Sequence, residues 1–209
     1  MEHPTPSGTP VAVGVWRVAG LVLGLLAACS TGSTWASFSA ATNNVADSYQ
    51  AGTVVLADDE AASVPLLTLS GARGGDSSSG CVRVIYSGSL PSTVRLYGSS
   101  GGTGLAPYLD VEITRGVMTS GTFPSCSGFQ ADTASYGDPA PGVVFRGTLA
   151  DFVATRSSWS SGLVDAPTAT ETWTNGETHA YRITVTLRAD GAAEAKTATP
   201  VFTCEARNT

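Results

Sequence analysis

Histidine is nearly absent from this sequence, which excludes several catalytic schemes. Only 2 of the 209 residues are histidine, and His3 lies in a predicted export signal, so His179 alone would remain after export. A His-Glu-x-x-His zinc site needs two histidines and is excluded. A Ser-His-Asp triad would depend on His179, but no Gly-x-Ser-x-Gly or similar nucleophile context is present. We therefore predict no catalytic residues and expect His179, in "ETHAY", at the surface or at a cap.

Signatures for nucleotides and nucleic acids are missing as well. The sequence has no P-loop and no Gly-rich dinucleotide fingerprint. It has 11 Lys and Arg residues against 17 Asp and Glu, and the formal net charge is −6. Because the basic residues form no cluster, the chain has no electrostatic footprint for nucleic acid or anionic lipid. We predict neither partner and no cofactor.

Acidic residues are present, but none has the spacing of a metal site. Residues 58–60 follow a predicted strand in "ADDE", and Asp110 shares a strand face with Glu112. Such oxygen ligands suit Ca²⁺, but neither group matches a known loop motif. We expect a solvated acidic turn and a wet strand face, without a metal. Four aromatic residues are candidates for a sugar-stacking platform, but we expect core or loop packing for them; they are Trp159, Trp173, Tyr97 and Tyr108.

Residues 1–36 have the three-part build of a secretory signal. A leader with one positive charge precedes the apolar run "VAGLVLGLLAAC", which is shorter than the about 20 residues that span a bilayer. Small residues then lead to "TWA", which suits signal-peptidase cleavage between Ala36 and Ser37. Two alternatives stay open. "LAAC" is also a lipobox that would give acylation at Cys29, and the segment would act as an anchor if uncleaved.

From residue 52 onward, apolar and polar residues alternate in short runs separated by Gly, Ser and Pro. A period of two is typical of strands that bury one face. About eight such runs predict one all-β domain, residues 52–209, with a jelly-roll-like antiparallel β-sandwich. Residues 149–159, "LADFVATRSSW", have helical spacing and predict one short helix. The predicted strands are "GTVVLA", "VPLLTLS", "CVRVIYS", "STVRLYG", "YLDVEITRG", "GVVFRG", "AYRITVTLR" and "TPVFTCEA".

Cysteine is scarce, and its positions predict one disulfide. Cys29 would be removed or acylated during export, which leaves Cys81, Cys126 and Cys204. Cys126 lies in the stretch 120–142, whose many Gly, Pro and Ser residues predict a long loop that needs a tether. A bridge to Cys81 would contribute about 3 to 4 kcal/mol in the chain-entropy model. We predict this bridge and expect Cys204 to be a buried, small hydrophobic residue.

Two stretches resemble the TasA and camelysin family of exported bacterial proteins. In "STWASFSAATNNVADSYQAGTVVLADDE", a cleavage site precedes an aromatic residue, an Asn-containing stretch follows, and Ala-Gly-Thr opens a strand, as in the N-terminal signature of the family. "CVRVIYSGSLPSTVRLYG" resembles its second block, and the composition is similar to that of high-GC actinobacterial proteins. The matching N-terminal residues are Ala36, Phe38, Asn43, Asn44, Ala51, Gly52 and Thr53.

The resemblance implies a jelly-roll-like protein that assembles on the cell surface or in a biofilm matrix. In TasA-like fibres, the freed N-terminus of one subunit adds as a strand to the next. We therefore expect a secreted, non-enzymatic structural protein that forms head-to-tail fibres, with other matrix proteins as further partners and membrane contact only through the signal or a lipid anchor. A surface-anchored binding module or adhesin is the alternative. Some family members carry a metalloendopeptidase label, which the shortage of histidine disfavours.

Residues 37–51 form the predicted N-terminal arm. The arm is polar with few large side chains, so it buries little and is costly to order alone. A sandwich that lacks an edge strand presents unpaired backbone groups, and the arm of a neighbouring molecule can satisfy them. Two alternatives are that the arm folds back on its own subunit or that it is disordered. The candidate donor residues are Ser37, Phe38, Ala40, Val45 and Tyr49.

Overall fold

Antiparallel strands build most of the regular structure. The computed structural model describes residues 39–42, 54, 56–60, 64–164 and 172–208, all within the unit Ser37–Thr209. Among these residues are one helix, α1 (Leu149–Thr155), and 3-10 turns at Ala106–Tyr108, Trp159–Ser161 and Gly191–Ala193. The strands are β1 (Ser39–Thr42), β2 (Leu56–Asp58), β3 (Ser77–Tyr86), β4 (Ser92–Gly101), β5 (Leu109–Met118), β6 (Phe129–Ala131), β7 (Val143–Thr148), β8 (Leu163–Val164), β9 (Thr178–Leu187) and β10 (Thr199–Asn208).

The strand pairs are nested, so that strands early in the chain pair with strands late in the chain. β1 pairs with β10, β3 with β9, β4 with β8 and β5 with β7, always antiparallel. These pairs form two sheets, one with the order β1-β10-β4-β8 and one with the order β2-β3-β9-β5, where β6 and β7 both lie beside β5. The nested pairing is the strand order of a jelly roll. The predicted all-β, jelly-roll-like sandwich with one short helix is confirmed.

The core lies between the two sheets, on the strand faces that the alternating pattern marks as apolar. In β9, Tyr181, Ile183 and Val185 are buried, whereas Arg182 and Thr184 on the opposite face are partly exposed. Burial of one large apolar side chain contributes about 1.5 to 3 kcal/mol. The two apolar faces therefore hold the sheets together.

Helix α1 begins at a capping box and packs on the core. Thr148 Oγ1 accepts a hydrogen bond from Asp151 N at 3.0 Å, and Asp151 Oδ2 accepts one from Thr148 N at 3.3 Å. Leu149 and Phe152 are fully buried. The predicted helix is confirmed, but it is shorter than the predicted span 149–159, because the serines that follow favour caps and turns over helix interiors.

The prediction of a strand in "VPLLTLS" is wrong. Residues 64–70 form no strand, and Leu66, Leu67 and Leu69 instead pack against the core. The carbonyl oxygen of Leu66 lies 2.1 Å from the place where a Cβ at position 80 would be, so this close approach requires Gly80. The apolar residues of this segment fill the seam between the sheets without joining either ladder.

The long loop, residues 120–142, is tethered as predicted. Cys81 and Cys126 form a disulfide with a Cα–Cα distance of 5.0 Å, and Cys81 N donates a hydrogen bond to Pro124 O at 3.0 Å. The stretch is not a loop throughout, because β6 lies within it and pairs with β5. Disulfides persist in oxidising compartments, so the bridge is compatible with export. No helix in the described ranges is long and apolar enough to cross a membrane.

Candidate strand-acceptor edge

The N-terminal arm supplies the first strand of the jelly roll. β1 pairs with β10 of the same chain, with Ser39 opposite Arg207 and Thr42 opposite Cys204. Of the candidate donor residues, Ala40 lies in this strand, opposite Ala206. The pairing in this single chain is intramolecular, which is the arrangement predicted if the arm folds back. The predicted signal with its cleavage site at Ala36 and Ser37, the lipidation site Cys29, and donor residues Phe38, Val45 and Tyr49 lie outside the described residues.

β10 extends beyond its described pairing with β1. β10 has 10 residues and pairs with β4 along its whole length, whereas β1 has 4 residues and lies against Cys204 to Arg207. In the part of the chain that the structure describes, no strand pairs with that side of residues 199–202. We call these residues the open edge. Val201 within it is 39% exposed, and an edge with exposed apolar side chains is a template for strand addition.

A small cavity lies in the seam beside the open edge. It has a volume of about 20 Å³, room for one water-sized group, and Leu66, Phe202 and Cys204 line it together with Asp58 and Glu60. Cys204 is buried, as expected, and takes no part in the disulfide. The cavity therefore lies between β10 and the acidic turn after β2.

The acidic turn, residues 58–60, is partly buried, so the expectation of a solvated turn is wrong. Asp59 pairs with Arg83, whose Nη2 lies 3.3 Å from Asp59 Oδ2. Glu60 Oε1 is buried and has no hydrogen-bond partner among the described residues. Burial, followed by the charges of Asp58 and Asp59, raises the pKa of Glu60 to about 7. Within the described ranges, no three His, Cys, Asp or Glu side chains are grouped to hold a metal ion.

The outer face of the same sheet carries a cluster of charged and aromatic side chains. Glu205, only 5% exposed, accepts hydrogen bonds from Tyr97 Oη at 2.8 Å and Arg207 Nε at 2.7 Å. Burial, together with the bond to Glu205, raises the pKa of Tyr97 to about 12. Arg95 and Arg207 each lie 4.5 Å from the ring centre of Trp159. These contacts hold the cluster on the outer face of β10. Glu205 lies on that face, whereas its neighbours Cys204 and Ala206 face the core.

The other aromatic residues lie apart from this cluster, so the four do not form one platform. Trp173 is 1% exposed and packs against the His179 ring at 4.0 Å. Tyr108 contacts Lys196, whose Nζ lies 4.4 Å from the ring centre. Trp173 is therefore a core residue.

His179 is buried, so the prediction of a surface or capping position is wrong. It is 7% exposed, and Arg115 Nε donates a hydrogen bond to its Nδ1 at 3.2 Å while Glu177 Oε1 lies 3.1 Å from its Nε2. Arg115 also pairs with Asp132 at 3.0 Å and contacts the Tyr136 hydroxyl. Burial and a hydrogen bond to Asp132 raise the pKa of Tyr136 to about 12. The sequence around His179 shows Glu177 but cannot reveal Arg115, because Arg115 comes from a neighbouring strand.

The predicted wet face of β5 is partly exposed and carries ion pairs. Asp110 Oδ1 lies 2.6 Å from Arg188 Nη2, and Glu112 Oε2 lies 3.0 Å from Arg146 Nη2. Arg146 also contacts Asp138 at 3.1 Å. Exposed pairs of this kind are worth about 0 to 1 kcal/mol. Both carboxylates are therefore held by arginines on the outer face of the second sheet.

The fold defines the class of the protein as a disulfide-tethered, jelly-roll-like β-sandwich whose described N-terminal strand pairs with β10. No protein-family model matches the sequence, and no curated protein has a significant match to it. Membership of the TasA and camelysin family therefore stays a prediction.

Proposed function

We propose that this protein is a secreted, non-enzymatic structural protein of the bacterial cell surface or biofilm matrix, and that its molecules form fibres by exchanging the N-terminal strand. One observation carries the proposal: a four-residue strand from the arm occupies the place of the first jelly-roll strand, beside a ten-residue β10. The fold thus depends on a short terminal segment for one edge. Such a segment is the element that domain swapping exchanges at low cost.

Pairing between molecules uses the same bonds as pairing within one molecule. Backbone hydrogen bonds between strands depend little on sequence, so β10 of a neighbour accepts the arm equally well. In the antiparallel register of β1, continuation of the donated strand would place Val45 opposite Val201. The donated strand would then cover the open edge.

The geometry of the exchange favours a filament. The arm and the β10 edge are different surfaces, so the contact is head-to-tail and propagates unless a ring closes. The Cys81–Cys126 bridge is compatible with an extracellular site of assembly. The resemblance of residues 33–60 and 81–98 to TasA-like proteins supports the same function.

Deletion of residues 37–50 tests the proposal. The chain produced from Ser37 should form fibres visible by electron microscopy, and the deletion should abolish them while circular dichroism still shows a folded β-protein. The deletion removes β1 but keeps both cysteines of the disulfide and strands β2 to β10, so loss of fibres without loss of fold isolates the arm. Fibres that persist after the deletion, or an intact chain that stays monomeric at all concentrations, would contradict strand exchange.

A binding module is the second candidate function, and one feature favours it. An open groove of about 510 Å³ lies on the outer face of the second sheet, where Asp110, Glu112, Arg146 and Arg188 line it. A binding module would stay monomeric and show a saturable ligand, and Arg146→Ala would weaken binding. Trp159→Ala is the aromatic variant to compare with it. Trp173→Ala is unsuitable, because Trp173 is a core residue and its loss would destabilise the fold.

A further inference from the structure

Three arginines from separate parts of the chain contact the 3-10 turn Trp159–Ser161. Arg95 Nη1 donates hydrogen bonds to two carbonyl oxygens of this turn, at 2.9 and 3.3 Å, and Arg156 Nη1 donates one to a third carbonyl at 3.1 Å. Arg207 lies 4.5 Å from the ring centre of Trp159. We call Arg95, Arg156 and Arg207 the arginine cluster. The sequence shows no basic run at any of these positions, so the cluster arises from the fold.

The positive charge of the arginine cluster exceeds the negative charge beside it. Within the described ranges, Glu205 is the one carboxylate in an ion pair with the cluster, and its Oε1 lies 2.7 Å from Arg207 Nε. Arg95 and Arg156 contact carbonyl oxygens of the turn and have no carboxylate partner there. The arginines that do pair with Asp or Glu elsewhere are Arg83, Arg115, Arg146 and Arg188. A chain with a net charge of −6 thus has an uncompensated positive patch.

The patch also has more hydrogen-bond donors than acceptors. Arg95 Nε, Arg156 Nε and Trp159 Nε1 are buried, and none of them has an acceptor in the part of the chain that the structure describes. Both carboxylate oxygens of Glu205 already accept a hydrogen bond. Buried donors are normally satisfied, and a donor left without a partner destabilises the protein. Charge and hydrogen bonding therefore indicate the same missing group, a negatively charged acceptor.

We propose that the arginine cluster is a binding site for an oxyanion, a carboxylate or phosphate group. A guanidinium group presents its N–H groups in a planar fork that matches two oxygens of either ligand. Three arginines suit one isolated oxyanion, whereas nucleic acid needs a longer basic surface to contact many phosphates. The ligand contacts side chains and no open backbone edge, so the proposal does not rest on strand exchange. Its two sources are a free ion and the carboxylates of an acidic polysaccharide.

Titration of the chain produced from Ser37 tests the site and distinguishes the two sources. The probes are inorganic phosphate and polygalacturonate, with calorimetry as the measurement. Trp159 and Trp173 are the tryptophans of this chain, and Trp173 is 1% exposed, so a change in fluorescence locates binding at Trp159. Saturable binding of phosphate supports a site for a free ion, and tighter binding of polygalacturonate supports the polysaccharide. No binding of either probe would overturn the proposal.

A remote arginine provides the matched control variant. Arg95→Gln should weaken binding of the better probe by about 10-fold or more, the effect of losing a hydrogen bond between charged groups. Arg73→Gln removes the same charge from an exposed arginine outside the cluster and should change binding less than about 2-fold. Arg156→Gln should weaken binding as Arg95→Gln does, which keeps the test valid if circular dichroism shows that Arg95→Gln is unfolded. Equal weakening by Arg73→Gln would reduce the effect to net charge and contradict the site.

A charge-conserving variant separates the guanidinium fork from charge alone. Arg95→Lys keeps the charge but loses the fork, so its affinity should lie between those of the parent and Arg95→Gln. Binding should weaken as sodium chloride is raised from about 50 to about 300 mM, because salt screens the charges. Uncharged dextran should not bind, and a dextran complex as tight as that of polygalacturonate would contradict oxyanion recognition. Duplex DNA that binds more tightly than polygalacturonate would contradict a site for one isolated oxyanion.

The titration and the fibre experiment have separate outcomes. Calorimetry uses the unassembled chain, so the absence of fibres refutes strand exchange and leaves the binding result intact. Fibres that form from a chain without affinity for either probe refute the oxyanion site alone.

Discussion

Individual residues of this protein show where burial overrides the sequence pattern. Glu60 lies in a run of three acidic residues, which on its own is typical of a solvated turn. The fold instead places Glu60 against the seam between the sheets, where burial and two neighbouring carboxylates raise its pKa to about 7. A carboxylate in this position opposes folding when it is ionised.

Replacement of Glu60 tests this effect on stability. Because the pKa is raised from its ordinary value of 4.5, the protonated acid is favoured in the folded state, and its contribution is lost as the pH rises from about 4.5 to about 7. Glu60→Gln should therefore be more stable than the parent at pH 8, by about 1 kcal/mol after allowance for partial exposure. This corresponds to about 2 to 4 °C in Tm.

Thermal unfolding by circular dichroism, below the concentration of assembly, is the measurement. At pH 4 the parent and the variant should differ little, because Glu60 is then protonated. A parent that is the more stable of the two at pH 8 would show that Glu60 has a donor in the monomer.

Among the elements, the disulfide adds to strand pairing as a restraint on the long loop, residues 120–142. Cys81 and Cys126 are separated by 45 residues, and β6 within the loop has only 3 residues. Arg182 lies over the ring of Phe129 at 5.1 Å, which adds one contact between the loop and the sheet. The bridge therefore holds the loop on the sheet together with the β5–β6 pairing and the Arg115–Asp132 ion pair.

Removal of the bridge should lower stability more than any other cysteine change. The Cys81→Ser, Cys126→Ser double variant should lose about 3 to 4 kcal/mol. Denaturant unfolding should give the same midpoint for this variant with and without reductant, and it should match the reduced parent. Cys204→Ala is the matched control, since Cys204 is buried but unbridged, and reductant should still lower its midpoint. A reductant effect that survives the double variant would contradict the assigned pairing.

The sequence pattern predicted those elements whose burial alternates regularly. β9 shows this best, because both of its sheet neighbours are central strands and its two faces differ in polarity along the whole element. The segment 64–70 has similar apolar content, but it packs against the core without pairing with a strand. Hydrophobic periodicity cannot distinguish a paired strand from an unpaired apolar segment of this length. The short strands β6 and β8 have too few residues to show a period.

The sites were harder to predict than the strands, because they depend on partners distant in sequence. The Cys81–Cys126 disulfide can be predicted from the sequence, because only three cysteines remain after the predicted signal and one of them lies in the long loop. The contacts of His179 with Arg115, and of Glu60 with the seam, arise only from the packing of separate strands. No local spacing rule encodes such contacts, so a solvated turn and a surface histidine were the natural but wrong expectations.

At the scale of the whole molecule, strand exchange predicts that a free arm peptide acts as a cap. A synthetic peptide of residues 37–50, added in excess to the chain produced from Ser37, should occupy β10 edges and shorten the fibres in a dose-dependent way. The same peptide with Ala40→Pro is the control, because proline removes the backbone donor opposite Ala206. Fibre length by electron microscopy is the measurement. Equal shortening by both peptides would argue against strand pairing.

Under the proposed strand exchange, the position of β1 close behind the predicted leader would tie fibre assembly to removal of the leader. β1 starts at Ser39, just after the predicted cut between Ala36 and Ser37. In a precursor held at the membrane by its leader, β1 would reach only β10 of the same chain. Each cleavage would then free one N-terminal strand for exchange. Under the same proposal, cleavage of the leader would set where and when fibres grow.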